Sequence, residues 1–220
     1  MTATSKTVGA VRVEHGAKRI RAYLGGELVA DTTRPFLVWE HARYPVYYFP
    51  AADVRLELLQ PGQFERSSIE SIPEAVKIDW DAMDAWFEED EEVFVHARNP
   101  YTRVDILASS RRIRVEVDGV TLAESVKPTL LFETGLPVRY YLPKTDVRMD
   151  LLTPSDRTSG CPYKGQARYW SLRSGDRRPD VAWSYPTPLP ESQRIAGLIC
   201  FYPDKVDLYV DGAVISSRPS

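Results

Sequence analysis

Residues 18–61 read KRIRAYLGGELVADTTRPFLVWEHARYPVYYFPAADVRLELLQP, and residues 111–154 read RRIRVEVDGVTLAESVKPTLLFETGLPVRYYLPKTDVRMDLLTP. A shift of 93 residues lays the first on the second without a gap, and 17 of the 44 positions are identical. The shared positions include Arg19/Arg112, Ile20/Ile113, Arg21/Arg114, Gly26/Gly119, Pro35/Pro128, Glu40/Glu133, Tyr48/Tyr141, Asp53/Asp146 and Arg55/Arg148. Composition alone gives only a few matches over so short a window, so the chain reads as a tandem duplication.

Both stretches open on residues that alternate with period two, Arg19 to Leu24 and Arg112 to Val117, as half-buried strands do. Gly25-Gly26 and Asp118-Gly119 follow, and both dipeptides supply the positive φ angles of a two-residue hairpin. Further strands are expected at Glu27 to Asp31, Val46 to Phe49 and Val54 to Leu59, and at Val120 to Glu124, Arg139 to Leu142 and Val147 to Leu152. Val206 to Val210, Asp211-Gly212 and Ala213 to Ser216 read as a last hairpin. Asp81 to Glu92 is the best helical candidate, and the acidic run Glu88 to Glu92 reads as a solvated face. With 17 prolines and no long helical period, the expected fold is all-β. It consists of two tandem small domains, sandwich-like or partly open barrels.

Past the gapless stretch, Ala85-Trp86 is matched to Ala182-Trp183 and Val104-Asp105 to Val206-Asp207. That sets the copies at residues 1–108 and 109–220. Ser109-Ser110 is too short for a floppy linker, so the copies are expected to dock as a pseudo-dimer. Residues 1–107 carry 12 basic and 18 acidic side chains, against 16 and 13 in residues 108–220.

The whole chain has 220 residues and a formal net charge of −3, which argues against a general nucleic-acid binder. No apolar run approaches a membrane span, and Met1 to Ala10 lacks the apolar centre of a secretion signal. Two cysteines suit a reducing compartment. The expectation is a soluble cytoplasmic protein with no nucleic-acid or membrane partner.

The second copy carries a set of specific words: Leu131-Phe-Glu-Thr-Gly-Leu-Pro137, Arg139-Tyr-Tyr-Leu-Pro143, Cys161-Pro-Tyr-Lys-Gly165, Ala182-Trp-Ser-Tyr185 and Ile195-Ala-Gly-Leu198. In these words the chain resembles the domain of unknown function 427 family, here in tandem and covering nearly the whole length. The resemblance implies a compact, mostly β domain and brings no established substrate. The family is also filed under a nucleotidyltransferase-like name, but the sequence has no Gly-rich phosphate loop opening a helix and no clear Mg²⁺ carboxylate pair. The first copy departs from the pattern: at the same shift Cys161 falls on Ser68, Lys164 on Ser71 and Gly165 on Ile72.

Cys161 sits between Gly160 and Pro162 with Lys164 three residues on, an arrangement that can expose a thiolate beside a cation. The alternative is a loop cysteine packed on Tyr163. Glu133 directly follows an apolar run, as Glu40 does in the first copy. Burial would suit it to acid–base work, while its presence in both copies equally suits an ion pair with Arg114, and of Glu40 with Arg21. Arg139 and Tyr141, with Trp170, Trp183 and Tyr185, are candidates for an aromatic pocket or for plain core, with Tyr140 facing the other way. Cys200 reads as core, and Asp53 and Asp146 as turn residues bonding nearby backbone amides. His15, His41 and His96 are scattered in the first copy and no Cys-x-x-Cys exists, so no metal and no cofactor is expected. Three functions remain open. One is an enzyme on a small polar or anionic molecule, with Cys161, Lys164 and Glu133 catalytic and Arg114, Arg139, Tyr141, Tyr163, Trp170, Trp183 and Tyr185 holding the ligand. The second is a non-catalytic module binding a small molecule or peptide, and the third is a structural or interaction protein.

Overall fold

The computed structural model describes residues 11–173 and 179–216, so Met1 to Ala10, read above for a leader, lies outside the described residues. The chain divides into two compact units, Met1–Pro100 and Tyr101–Ser220. Among the described residues the regular structure is antiparallel β-sheet with short 3₁₀ turns.

The first unit contains β1 (Arg12–His15), β2 (Ile20–Leu24), β3 (Glu27–Thr32), β4 (Phe36–Trp39), β5 (Val46–Pro50), β6 (Phe64–Arg66), β7 (Ala75–Ile78), β8 (Ala85–Glu88) and β9 (Glu91–Val93). They form an open sheet in the order β1-β4-β5-β7-β6 and a second in the order β3-β2-β8-β9. The core lies between these layers, with Ile20, Ala22, Val29 and Trp86 from one and Tyr47, Phe49, Val76 and Ile78 from the other.

The second unit contains β10 (Val104–Ala108), β11 (Ile113–Val117), β12 (Val120–Ser125), β13 (Thr129–Glu133), β14 (Arg139–Leu142), β15 (Leu152–Cys161), β16 (Gly165–Leu172), β17 (Ala182–Ser184), β18 (Ile199–Phe201), β19 (Asp207–Val210) and β20 (Ala213–Ser216). Its larger sheet runs β10-β13-β14-β18-β17-β16-β15 and its smaller one β12-β11-β19-β20. Leu142, Leu152, Leu172, Ala182, Ile199 and Phe201 of the first meet Ile113, Val115, Leu122, Leu208 and Val210 of the second.

The 93-residue offset survives in the backbone. The ladders Ile20↔Thr32 and Ile113↔Ser125 match, and both slip at the same place, between Ala22/Tyr23 and between Val115/Glu116. The hairpin dipeptides hold positive φ: 60° and 80° at Gly25-Gly26, 51° and 77° at Asp118-Gly119, 52° and 84° at Asp211-Gly212. These are the angles the right-handed strand twist demands of a two-residue turn.

Several expectations are corrected. Val54 and Val147 make only single bridges, to Ala30 and Ala123, before 3₁₀ turns at Leu56–Leu58 and Met149–Leu151, so no strand runs through either segment. Asp53 and Asp146 accept from the hydroxyls of Thr32 and Ser125, both at 2.7 Å, rather than from backbone amides. Asp81 to Glu92 is no helix, because β8 and β9 form a hairpin there. Glu88 does not belong to a solvated face: it is buried and accepts from Tyr47 Oη and Lys18 Nζ.

The later sequence matches also fail. Trp86 pairs with Ala22 and Leu208 with Val115, so β8 corresponds to β19 rather than to β17. Asp105 pairs with Phe132 as Arg12 pairs with Trp39, which makes β10 the counterpart of β1. β10 and its partner β13 both lie in the unit Tyr101–Ser220.

Candidate functional site

The face of the seven-stranded sheet turned away from the main core carries a second buried cluster. Side by side across the strands stand Tyr141, Cys200, Trp183 and Tyr169, through the pairs Tyr141↔Cys200, Cys200↔Trp183 and Tyr169↔Trp183. Ile106, Leu131, Ala167, Tyr185 and Ile195 complete the cluster, with Cys161, Leu198 and Tyr202 packed on it. Parity along each strand decides membership. Tyr140 and Trp170, next to Tyr141 and Tyr169, face the main core instead. Tyr140 thus faces as expected, whereas Trp170 does not join the other aromatics.

Lys164 Nζ donates to Glu133 Oε2, and the two side chains are 11% and 10% exposed. Glu133 ends β13, while Lys164 lies in the turn between β15 and β16. Four strand spacings separate β13 from β16, roughly 19 Å on a flat sheet. A lysine cannot span that, so the sheet curls until its two flanks meet. The 3₁₀ segment Pro190–Ile195 fills the seam: Ser192 Oγ donates to the Tyr163 carbonyl at 2.9 Å, and Arg194 to the Ile106 carbonyl at 2.7 Å. Among the described residues no ladder joins the edge strands β10 and β15.

The word Cys161 to Gly165 has a local explanation. Cys161 pairs with Gly165, and the Lys164 amide donates to the Cys161 carbonyl at 3.3 Å, closing a turn with Pro162 at its second position. Gly165 has φ +92°, and a Cβ there would stand 3.4 Å from both Leu189 N and the Thr187 carbonyl. Gly165→Ala is therefore expected to destabilise the second unit by about 1–2 kcal/mol. A urea midpoint equal to wild type would show that the turn tolerates the change.

Lys164 pairs with Glu133, and Glu133 does not pair with Arg114. Arg114 lies on β11 in the other sheet, 4.2 Å over the Tyr209 ring and 3.1 Å from Glu116. There it lines a concavity of about 380 Å³ with Arg112, Thr121, Glu124 and Tyr209. Arg21 likewise pairs with Asp90 at 2.7 Å rather than with Glu40. Tyr163 holds the turn through its backbone. The structure thus gathers Cys161, Lys164, Glu133, Arg139, Tyr141, Trp183 and Tyr185 on one face, and leaves Arg114 and Trp170 elsewhere.

Sequence reasoning missed Tyr169, Tyr202, Arg157 and Lys205 around them. Arg157 lies 4.6 Å over Tyr169, Lys205 5.1 Å over Tyr202, and Arg139 5.5 Å over Trp183, itself 4.4 Å from Tyr202. Only the register Tyr169↔Trp183 reveals which of the adjacent Tyr169 and Trp170 belongs here.

Burial pushes the Tyr141 and Tyr185 hydroxyls well above the ordinary tyrosine range. It pushes the Cys200 thiol up to about 12, against the pull of Arg139. Cys200 is accordingly expected to resist alkylation at pH 8 until the protein unfolds, while half-buried Cys161 reacts in the native state. Peptide mass spectrometry after iodoacetamide treatment checks this, and native labelling of Cys200 would contradict it.

The first unit repeats the carboxylate with a different partner. Glu40 accepts from Tyr48 Oη at 2.8 Å and from Lys77 Nζ at 3.0 Å. Lys77 pairs with Tyr48 as Cys200 pairs with Tyr141, so this lysine occupies the cysteine's place. A model of the family described as domain of unknown function DUF427 matches residues 12–71 and 105–212. The chain belongs to the DUF427 family. The DUF427 match runs from β10 through β19 in the second unit, but stops before β7 in the first. No curated protein matches the chain. No helix among the described residues is long and apolar enough to cross a membrane.

Proposed function

We propose that this DUF427 protein is a small-molecule-binding module whose site is the inner face of the curled sheet in the second unit. The two units are tandem copies of one domain, the first retaining the frame without the long β15–β16 hairpin. The observation that carries the reading is the Glu133–Lys164 pair, about nine-tenths buried against an aromatic cluster. A buried pair is often no more stabilising than apolar side chains of the same volume, so stability alone is a poor reason to keep one. Yet each unit holds a carboxylate at the matching position, and its lysine comes from β7 in the first and from the β15–β16 turn in the second.

A catalytic thiol has less support, since the cation meant to stabilise it is engaged by Glu133. The two free cysteines suit a reducing compartment, and we assign the protein to the cytoplasm. The test is a thermal-melting screen of the full chain against a library of small charged and uncharged molecules. Saturable rises in Tm, without turnover and unchanged in Cys161→Ser, are the expected result. Hits that are consumed by the wild type and spared by Cys161→Ser would replace this reading with an enzymatic one.

A further inference from the structure

The last hairpins of the two smaller sheets differ by one carboxylate. Glu89 and Asp211 stand at the same place in the turns: each side chain accepts from the amide of the matching arginine, Arg19 at 2.8 Å and Arg112 at 2.9 Å. The next residue is Asp90 in the first unit and Gly212 in the second. Asp90 seals Arg21. Its carboxylate accepts from Arg21 Nη2 at 2.7 Å, Nη1 donates to the Tyr23 hydroxyl at 3.3 Å, and the side chain lies over Phe87, 16% exposed. Arg114 repeats this arrangement with one partner missing. It lies over Tyr209, which pairs with it as Phe87 pairs with Arg21, and Glu116, at the place of Tyr23, is 3.1 Å from Nη1. Nothing replaces Asp90: Arg114 Nη2 has no hydrogen bond among the described residues, and the side chain is 42% exposed. The concavity of about 380 Å³ opens at this point, lined by Arg112, Arg114, Tyr209 and the Asp211-Gly212 turn, and its size is that of a small-molecule site.

The charged lining is balanced, with Arg112 and Arg114 against Glu124 and Asp211. Arg112 donates twice to Glu124 Oε1, and its amide donates to Asp211 Oδ1, so each carboxylate keeps its second oxygen to accept from a ligand. A bare anion would face both carboxylates, whereas a molecule carrying both charges matches the whole lining. We propose that this concavity binds a small zwitterion, its carboxylate on Arg114 as Asp90 sits on Arg21, and its ammonium group on the open oxygens of Asp211 and Glu124. Val214, paired with Tyr209 on β20 and 56% exposed, offers apolar surface to the body of the molecule. The site lies on the other sheet from the inner face and does not depend on the reading above. It belongs to the second unit alone, because in the first Asp90 already occupies the arginine.

The experiment titrates the full chain at neutral pH and low ionic strength with L-valine, and with isobutyrate and isobutylamine as its two halves, by isothermal calorimetry. Saturable binding of valine, one per chain, is expected, with each half weaker by about tenfold or more. Arg114→Gln should weaken valine by about tenfold or more, as loss of hydrogen bonds to a charged group does. Gly212→Asp supplies the carboxylate that the first unit has and should abolish binding. Gly212→Asn puts the same strain on the turn without the charge, and should stay within about threefold of wild type. If Gly212→Asp does not fold, Arg114→Gln and the two halves decide. Isobutyrate or isobutylamine binding as tightly as valine overturns the zwitterion. Valine binding indifferent to Arg114→Gln and Gly212→Asp lies elsewhere on the chain and overturns the site. Absence of valine binding overturns the inference altogether.

Discussion

Glu133→Leu should lower the stability of the second unit by about 3–5 kcal/mol, and Lys164→Met by a similar amount. Each single change strands the other charge where solvent barely reaches, and breaking a buried pair from one side costs about that much. Changing both together should return stability to within about 1 kcal/mol of wild type, because apolar side chains of similar volume replace a desolvated pair without the penalty of an orphaned charge. Urea denaturation of the four proteins gives the coupling energy directly. If the single variants lose less than about 1 kcal/mol, the pair is solvated in practice and the curl has another cause. The double variant has a second use: a folded protein lacking the pair shows whether recognition needs those charges.

Trp183→Ala carries the other large expected effect, about 3–5 kcal/mol. The ring is 7% exposed and packs edge-on to Tyr141, with centroids 6.2 Å apart. Its loss opens a cavity under Tyr202 and Arg139 and removes the Nε1 donor from Tyr141. Trp183→Phe keeps most of the volume and loses the donor, so about 1–2 kcal/mol is expected for it. Amide exchange should assign the loss to residues of the second unit. Trp86 is the internal comparison. It sits in the first unit's core, stacked 4.7 Å from Trp80, and donates to the Trp80 carbonyl at 3.0 Å. The two tryptophans head similar words, Ala85-Trp86 and Ala182-Trp183, yet stand on strands that are not counterparts.

That contrast marks where the sequence was legible. Hairpins such as Ile113 to Ser125 are local: alternation names the strands, an Asp-Gly names the turn, and both stretches carried the same signal at the same offset. The strands after Pro61 and Pro154 find partners far along the chain, and an Ala-Trp dipeptide does not say which sheet receives it. The same limit governed the site. Glu133 and Lys164 are both legible as candidates, but the sequence leaves Glu133 between acid–base work and a pair with Arg114, the partner that the shared residues suggest. The true contact depends on how far the sheet curls, which no spacing encodes. Tyr141, Trp183 and Tyr185 stand out in the sequence because aromatics announce themselves, and the structure places them in one buried cluster. Tyr169, Arg157 and Lys205 were missed because their membership is settled by register and by cross-strand cation–ring contacts.

The seam has a mechanical consequence. Main-chain ladders hold six of the seven junctions that a closed barrel of this sheet would need; side chains and one 3₁₀ segment hold the last. The sheet is thus a clasp rather than a tube. Releasing Lys164 from Glu133, Ser192 from Tyr163 and Arg194 from Ile106 frees its lips without breaking a strand pair. Exposure of the tyrosines inside then requires a local opening of the seam rather than the unfolding of the sheet.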